Sequence, residues 1–213
     1  MKTFIKYFCV AALVLGGVAS SQASLTWSTS SGQAIPDNSP NSGVASDIYI
    51  APADSQLAGI INPSVASVDN VTFTIAGGWA GDYSVVLKYT DGVNSLSSTL
   101  FSSLQGGAAA NGGFTGVVLT AGTGNNISTA GSTTSTTPIT GTFSGVNFSS
   151  FQNVSPVGDW ILYVTDNQSG DQGTLTSWSL SLTVVPEPVN VALGIFGGLA
   201  GLVAVIRMRR AKS

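Results

Sequence analysis

Alternation of apolar and polar residues dominates the middle of the chain. In the segment 177–184, Trp178, Leu180, Leu182 and Val184 occupy every second position, with serine or threonine between them. A period of two places successive side chains on opposite faces of a β-strand. The pattern therefore predicts a strand with Trp178 in a core and hydroxyl side chains facing water.

Further strand patterns fill the centre of the chain. Alternation recurs in 71–75 and 83–89, and the second of these segments ends at the turn pair Asp91-Gly92. The segment 160–165, which includes Trp160, is more continuously apolar, as expected of a buried strand. Shorter candidate strands are 48–50, 116–119 and 140–143. The rest of the stretch 102–140 is predicted to form long loops.

The absence of a helical period between residues 24 and 185 decides the fold class. Many short strands separated by turns are typical of a sandwich. We predict an all-β fold, a jelly-roll-like β-sandwich of the galactose-binding-like type, in a single domain over 24–184.

Charge is scarce and unevenly placed. Only 8% of the 213 residues are charged, against about a quarter in ordinary domains. Between residues 24 and 185 there are nine aspartates and one base, Lys88, which gives this segment a net charge of −8. Nucleic-acid binding needs a basic surface. We therefore expect no nucleic-acid partner.

The residue inventory also excludes common chemistries. The chain contains no histidine, and its one cysteine, Cys9, lies in the N-terminal apolar run. A Ser-His-Asp mechanism, a disulfide and a thiolate metal site are therefore unavailable. Carboxylate pairs could support glycosidase chemistry, but Asp159, Asp166 and Asp171 fall at strand ends and turns, where aspartate usually accepts local backbone hydrogen bonds. The sequence predicts no enzyme, no catalytic residue and no organic cofactor.

Calcium is the one candidate ligand among inorganic ions. Asp166 and Asp171 flank the short loop 167–170, and calcium prefers carboxylate and carbonyl oxygens on loops. A hydrogen-bonded turn without metal is the alternative for the same residues.

The N-terminal segment 1–23 has the pattern of a secretory signal peptide. Lys2 and Lys6 precede an apolar stretch, and small residues lead to a predicted signal-peptidase cleavage after Ala23, with Ala19 as the second choice. The domain is therefore expected to be exported.

The C-terminal segment 185–213 combines three elements. The motif at 185–188 is followed by an apolar run over 189–206, long enough for a short membrane helix, and by a basic tail over 207–213. This order resembles the PEP-CTERM sorting signal of Gram-negative bacteria. The resemblance rests on Pro186, Glu187 and Pro188 and on a tail with Arg207, Arg209 and Arg210.

The PEP-CTERM resemblance implies a membrane partner and a destination. An exosortase-type protease would cleave near the motif after a transient inner-membrane anchorage through the C-terminal helix. The released protein would reach the cell surface or the extracellular polymer matrix, where extracellular polysaccharide is a candidate partner.

A second resemblance covers roughly 34–184. The order of a glycine-tryptophan strand in 158–166, a Gly-Asp-x-Gly turn in 170–173 and a tryptophan strand in 177–180 resembles the end of a P/Homo B domain, the β-sandwich companion of proprotein convertases. The segments 34–37 and 69–87 resemble its opening and its central strands. Where that family usually has histidine, this chain has 76–79, Ala-Gly-Gly-Trp.

Three functional interpretations remain open. The primary expectation is a non-catalytic surface or matrix protein that acts by binding or assembly. The alternatives are a carbohydrate-binding module, for which Trp27, Trp79 and Tyr83 are the candidate exposed aromatics, and a P domain accessory to a separate subtilisin-like serine endopeptidase.

Overall fold

The computed structural model describes residues 22–104, 111–130, 137–186, 196–203 and 207. In these ranges the chain forms strands and a few single turns of 3-10 helix, followed by a helical segment at 196–203. The strands are β1 Ala23–Ala34, β2 Val44–Ile50, β3 Pro63–Trp79, β4 Tyr83–Thr90, β5 Ser95–Ser102, β6 Asn111–Thr120, β7 Thr142–Phe143, β8 Gly158–Asp166 and β9 Gly173–Pro186.

The strands form two sheets. One has five strands in the order β1-β9-β3-β6-β7, and the other has four in the order β2-β8-β4-β5. Neighbours are antiparallel except β6 and β7, which are parallel. The predicted all-β sandwich is confirmed at this level.

Side chains from both sheets meet in one core. Phe73 of β3 stacks on Phe101 of β5 with ring centroids 6.1 Å apart, and Phe114 of β6 lies 6.3 Å from Tyr83 of β4. The indole Nε1 of Trp178 in β9 donates to Ser46 Oγ in β2 at 3.1 Å. Aromatic pairs and a buried hydrogen bond therefore join the two sheets face to face.

The apolar side chains that alternate along the last strand face the core, as predicted. Trp178, Leu180, Leu182 and Val184 are all buried, and Trp160 on β8 is fully buried beside Tyr89, with ring centroids 4.6 Å apart. The predicted strands within 48–50, 71–75, 83–89 and 160–165 lie inside β2, β3, β4 and β8. The Asp91-Gly92 pair forms the β4–β5 turn, where Asp91 Oδ1 accepts from the amides of Val93 and Asn94.

The loop prediction for 102–140 was wrong in extent. Strand β6 runs over Asn111–Thr120, longer than the predicted 116–119, and pairs with β3. Gly113 and Gly116 adopt positive φ angles of 73° and 57° within it. Such irregular positions need glycine, which weakens the strand pattern in the sequence while the strand itself persists.

The two ends of the domain differ from the predicted boundaries by a few residues. Strand β1 begins at Ala23, which pairs with Val184, so the first residue of the sheet precedes the predicted mature start. Strand β9 continues to Pro186, whose partner is Pro63. The first proline of the predicted sorting motif, Pro186, therefore belongs to the five-stranded sheet.

The predicted membrane helix over 189–206 falls mostly outside the described residues. The part at 196–203 is helical and largely exposed. Among the described residues, no helix has the length and apolar character needed to cross a membrane. Residues 1–21 of the predicted signal peptide over 1–23 and the tail beyond Arg207 also lie outside them.

Candidate functional site

Three chain connections meet at one end of the sandwich. The β1–β2 connection is tied to the β8–β9 connection by three backbone bonds: Ile35 N to Gly173 O, Asn38 N to Gln168 O and Ser39 N to Asp166 O, at 2.9, 3.0 and 2.7 Å. The short 3-10 turn Ala80–Asp82 joins them, because the Asn167 amide donates to Asp82 O at 2.9 Å.

Each of these connections contributes aspartate. We call Asp37, Asp82, Asp166 and Asp171 the acidic end. The sequence singled out Asp166 and Asp171; the structure adds Asp82 from the β3–β4 turn and Asp37, whose carboxylate accepts from Gly170 N at 3.2 Å. Asp37 and Asp82 are remote in sequence from the predicted pair, so the topology alone reveals them.

Asp166 is the most unusual residue of the acidic end. It is the last residue of β8, it stands opposite Tyr83 of β4, and its exposed fraction is zero. One carboxylate oxygen, Oδ1, accepts from Gln168 N at 3.1 Å, whereas Oδ2 is buried without any hydrogen-bond partner. An unpaired buried carboxylate oxygen is costly, so it normally acquires a proton, a donor or a cation.

The aspartates of the acidic end carry like charges, and they lie close enough to raise the pKa of Asp82 and of Asp166. Burial is the main cause that raises the pKa of Asp82 to about 6, with Asp166, Asp171 and Asp37 adding to it in that order. Burial also raises the pKa of Asp166; the Gln168 hydrogen bond opposes this, and Asp171 and Asp37 reinforce it. The Tyr83 hydroxyl has its pKa raised for the same reasons, burial first.

Lys88 is the one base between residues 24 and 185, and it does not compensate this charge. Lys88 lies with its Nζ 3.8 Å from the centroid of the Tyr163 ring, and both residues belong to the outer face of the four-stranded sheet. The carboxylate donors suit a hard cation such as calcium. As arranged, however, no three His, Cys, Asp or Glu side chains in the described part of the chain are placed to hold a metal ion.

The outer face of the five-stranded sheet is a surface of hydroxyl groups. A shallow groove crosses it, with a lining that includes Ser28, Thr72, Thr74, Ser177 and Ser179. Phe73 and Trp178 also line the groove, although both side chains are buried in the core. Small-molecule sites are usually mostly apolar.

The candidate aromatic cluster for carbohydrate binding does not form. Trp27 and Tyr83 are buried, and Trp79 is half-buried at the end of β3. Trp27 fails as a surface residue because its side chain lies on the inward face of β1, with Nε1 donating to Asp54 Oδ2 at 3.1 Å. The exposed aromatics include Tyr49 on β2, with 62% of its surface accessible, and Phe196 in the helical segment, with 70%.

Of the three residues that carry the predicted sorting motif, the described part contains only Pro186, at the end of β9, and of the basic tail only Arg207, in helical conformation. Glu187, Pro188, Arg209 and Arg210 lie outside the described residues. The predicted roles of the motif and the tail remain predictions.

The family comparison matches the end of the sandwich. A family model described as the proprotein convertase P-domain matches residues 108–182, which is less than half of the chain. The match includes β6, β7 and β8 and most of β9, and it contains Asp166 and Asp171 but neither Asp37 nor Asp82. This chain therefore carries a P-domain-like region, and the resemblance stated from residues 158–180 is confirmed there.

The structural comparison covers more of this chain at lower similarity. The chain is similar to the crystal structure of the complex of the Aeromonas sobria serine protease with the chaperone ORF2, at 19% identity and a TM-score of 0.48. The similarity covers 83% of this chain but 29% of that one, so this chain spans less than a third of the structure that it matches. No curated protein matches the sequence.

Proposed function

We propose that this chain is an exported, non-catalytic module of the P-domain type that acts as an accessory to a separate subtilisin-like serine endopeptidase. The P-domain match over 108–182 carries the proposal. The lack of histidine anywhere in the chain supports a non-catalytic role, since a catalytic triad would need one. Export agrees with the usual setting of P domains and with the signal-peptide pattern.

The outer face of the four-stranded sheet is the better of the two faces for a protein partner. It presents the exposed Tyr49 on β2, half-buried Ile161 and Tyr163 on β8, and Lys88 over the Tyr163 ring. Tyrosine is enriched in protein interfaces, where it adds apolar area together with a hydroxyl. The hydroxyl-covered outer face of the five-stranded sheet lacks such anchors.

Binding to the endopeptidase tests this proposal. The purified protein, mixed with a secreted subtilisin-like endopeptidase of the same organism, is expected to form a 1:1 complex that slows thermal inactivation of the enzyme. Tyr49→Ser should weaken the complex about tenfold or more, because aromatic anchors commonly supply over 1.4 kcal/mol. Calorimetry measures the affinity.

Val93→Ser is the matched control for this experiment. Val93 is 92% exposed on the β4–β5 turn, away from that face, and its replacement should leave binding unchanged. Absence of a complex at about 100 µM of each protein would refute the accessory role. The dissociation constant would then be well above about 100 µM, too weak for a stable accessory module.

The C-terminal segment favours a second candidate function, that of a cell-surface or matrix component. Pro186, Glu187 and Pro188 precede an apolar run and a tail with three arginines. Signal peptidase and an exosortase-type protease would be the processing partners, after a transient anchorage in the inner membrane. Extracellular polysaccharide would be the binding partner at the final location.

Glu187 provides the test of sorting. Glu187 is the one glutamate of the chain, and the flanking prolines keep the motif out of helix, so the peptide should be open to a protease. We expect Glu187→Ala to leave translocation intact but to keep the protein in the membrane fraction of a host with the matching exosortase. Fractionation with immunoblotting measures this.

Asn190→Ala, three residues further into the apolar run, is the control for Glu187→Ala and should be released normally. Neutral replacements of Arg207, Arg209 and Arg210 should instead weaken retention of the span before cleavage. Release of Glu187→Ala as efficient as that of the parent would mean that the segment is a plain anchor or incidental.

A further inference from the structure

Among the described residues, β1 is the longest strand at an edge of either sheet. It has 12 residues, against two in β7 on the opposite side of the same sheet, and seven and eight in β2 and β5 of the other sheet. The segment 23–34 contains no charged residue and no proline. Long strand edges with free backbone groups are templates for pairing with another chain, and charge or proline is the usual protection.

Gln56 covers the middle of this edge. It lies in the 3-10 turn Ser55–Leu57, and its side-chain amide bonds the backbone of Thr26 twice. Nε2 donates to Thr26 O at 3.0 Å, and Oε1 accepts from Thr26 N at 3.3 Å. A neighbouring antiparallel strand would form the same two bonds, because facing residues exchange N–H and C=O groups. The Gln56 side chain therefore occupies the place of a further strand.

The turn that carries Gln56 is fixed to β1 on both sides of this residue. Asp54 Oδ1 accepts from Gln56 N at 2.8 Å, and Asp54 Oδ2 accepts from Trp27 Nε1 at 3.1 Å. Leu57, the next residue, is buried in the core, whereas Gln56 itself is exposed. The backbone of Gln56 is thus held in place while its side chain can leave Thr26 without disturbing the core.

We infer that the edge of β1 is a self-association site for a second copy of this chain, and that Gln56 blocks it. Backbone groups alternate in direction along a strand, so every second residue, counted from Thr26, directs its N–H and C=O to the free edge. These residues are Ser24, Thr26, Ser28 and Ser30. The β-bulge that follows Ser30 ends the regular edge.

Two such edges match one another in an antiparallel pair. Thr26 would face Ser28, and Ser24 would face Ser30, with two backbone bonds exchanged in each facing pair. Both pairs that include Thr26 are blocked while Gln56 is bound to it. The outward side chains at these positions are hydroxyls, which form favourable cross-strand pairs.

Charge also favours a second copy as the occupant of this edge. No like charges would face each other across the pair, because β1 carries none. The net charge of −8 over residues 24–185 opposes association at a distance, and salt screens this repulsion. The dimer should therefore become stronger as the salt concentration rises.

Sedimentation velocity of the purified protein in about 0.15 M salt tests the site. We expect Gln56→Ala to dimerise at a concentration about tenfold or more below that of the parent, because the parent must give up the Gln56 bonds in both copies. Gln56→Asn keeps the amide but is one methylene shorter, so it should behave like Gln56→Ala. Gln152→Ala, which changes an exposed glutamine on the β7–β8 connection, should match the parent.

A proline in β1 identifies the surface that associates. Ser28→Pro removes an N–H that points to the free edge, so the pairing of β1 with β9 keeps its bonds. In the Gln56→Ala background this substitution should restore the sedimentation of the parent. A dimer that persists in the double variant would place the association elsewhere and overturn the inference.

Amide hydrogen exchange followed by NMR gives a second measurement that needs no proline variant. In dilute Gln56→Ala the Thr26 amide should exchange about threefold or more faster than in the parent, because its acceptor is lost. The Trp27 amide, which points to β9, should keep its protection. At high protein concentration the Thr26 and Ser28 amides should become protected together as the dimer forms.

Two further results would overturn the inference. The first is sedimentation of Gln56→Ala that matches the parent at every concentration up to about 500 µM, which would put the dissociation constant at about 1 mM or above. The second is exchange at Thr26 that does not change when Gln56 is replaced. Neither result depends on the endopeptidase, because its proposed interface lies on the outer face of the other sheet.

Discussion

Trp178→Ala is expected to lower the free energy of unfolding by about 3–5 kcal/mol, the usual cost of truncating a large buried aromatic. Only 2% of the Trp178 surface is accessible, and the ring lies between the sheets. Its Nε1 donates to Ser46 Oγ, itself 3% exposed, so the substitution also leaves a buried hydroxyl without its donor. Urea denaturation followed by circular dichroism measures the loss.

Two variants separate the contributions of the indole. Ser46→Ala removes the hydrogen bond alone and should cost about 1 kcal/mol. Trp79→Ala removes an aromatic that is half-buried at the end of β3, and its cost should be less than half that of Trp178→Ala. A midpoint for Trp178→Ala close to that of the parent would contradict the burial of this ring.

The sequence predicts the strands whose pattern is set by the core. Apolar and polar residues alternate in the segments 178–184 and 71–75 because one face of each strand is buried. A period of two in the sequence therefore identifies a strand with one buried face. Strands β1 and β5 were missed because they lie at or near the edges of their sheets. Their composition is rich in serine and threonine, and their places are set by pairing with β9 and β4.

Only two of the four aspartates of the acidic end could be predicted from the sequence. Asp166 and Asp171 flank one short loop, so the sequence places them together. Asp37 and Asp82 approach them through the connections that β1–β9 and β4–β8 pairing brings to one end of the sandwich. The burial of Asp166 carries no local signal either, because an aspartate at a strand end ordinarily faces water.

Gly113→Ala is expected to destabilise the domain by about 4 kcal/mol or more. Losses of this size are rare and arise where a substitution strains the backbone or causes a steric clash. Gly113 has φ of 73°, which costs an L-residue about 1–2 kcal/mol. An added Cβ would also overlap the carbonyl oxygen of Ile75 and come within 2.6 Å of that of Gly77. Both oxygens belong to β3, so the β3–β6 pairing must open to accommodate the methyl group.

Gly116→Ala isolates the steric part of this effect. Gly116 lies three residues further along β6 with φ of 57°, but a Cβ built there meets no atom within 4 Å. Its replacement should cost only the conformational strain, about 1–2 kcal/mol. The two variants share the strand, the substitution and the sign of φ, so the difference between their unfolding free energies measures the contact with β3. Equal losses would mean that β6 does not approach β3 as closely as the pairing at Ile75 and Phe114 requires.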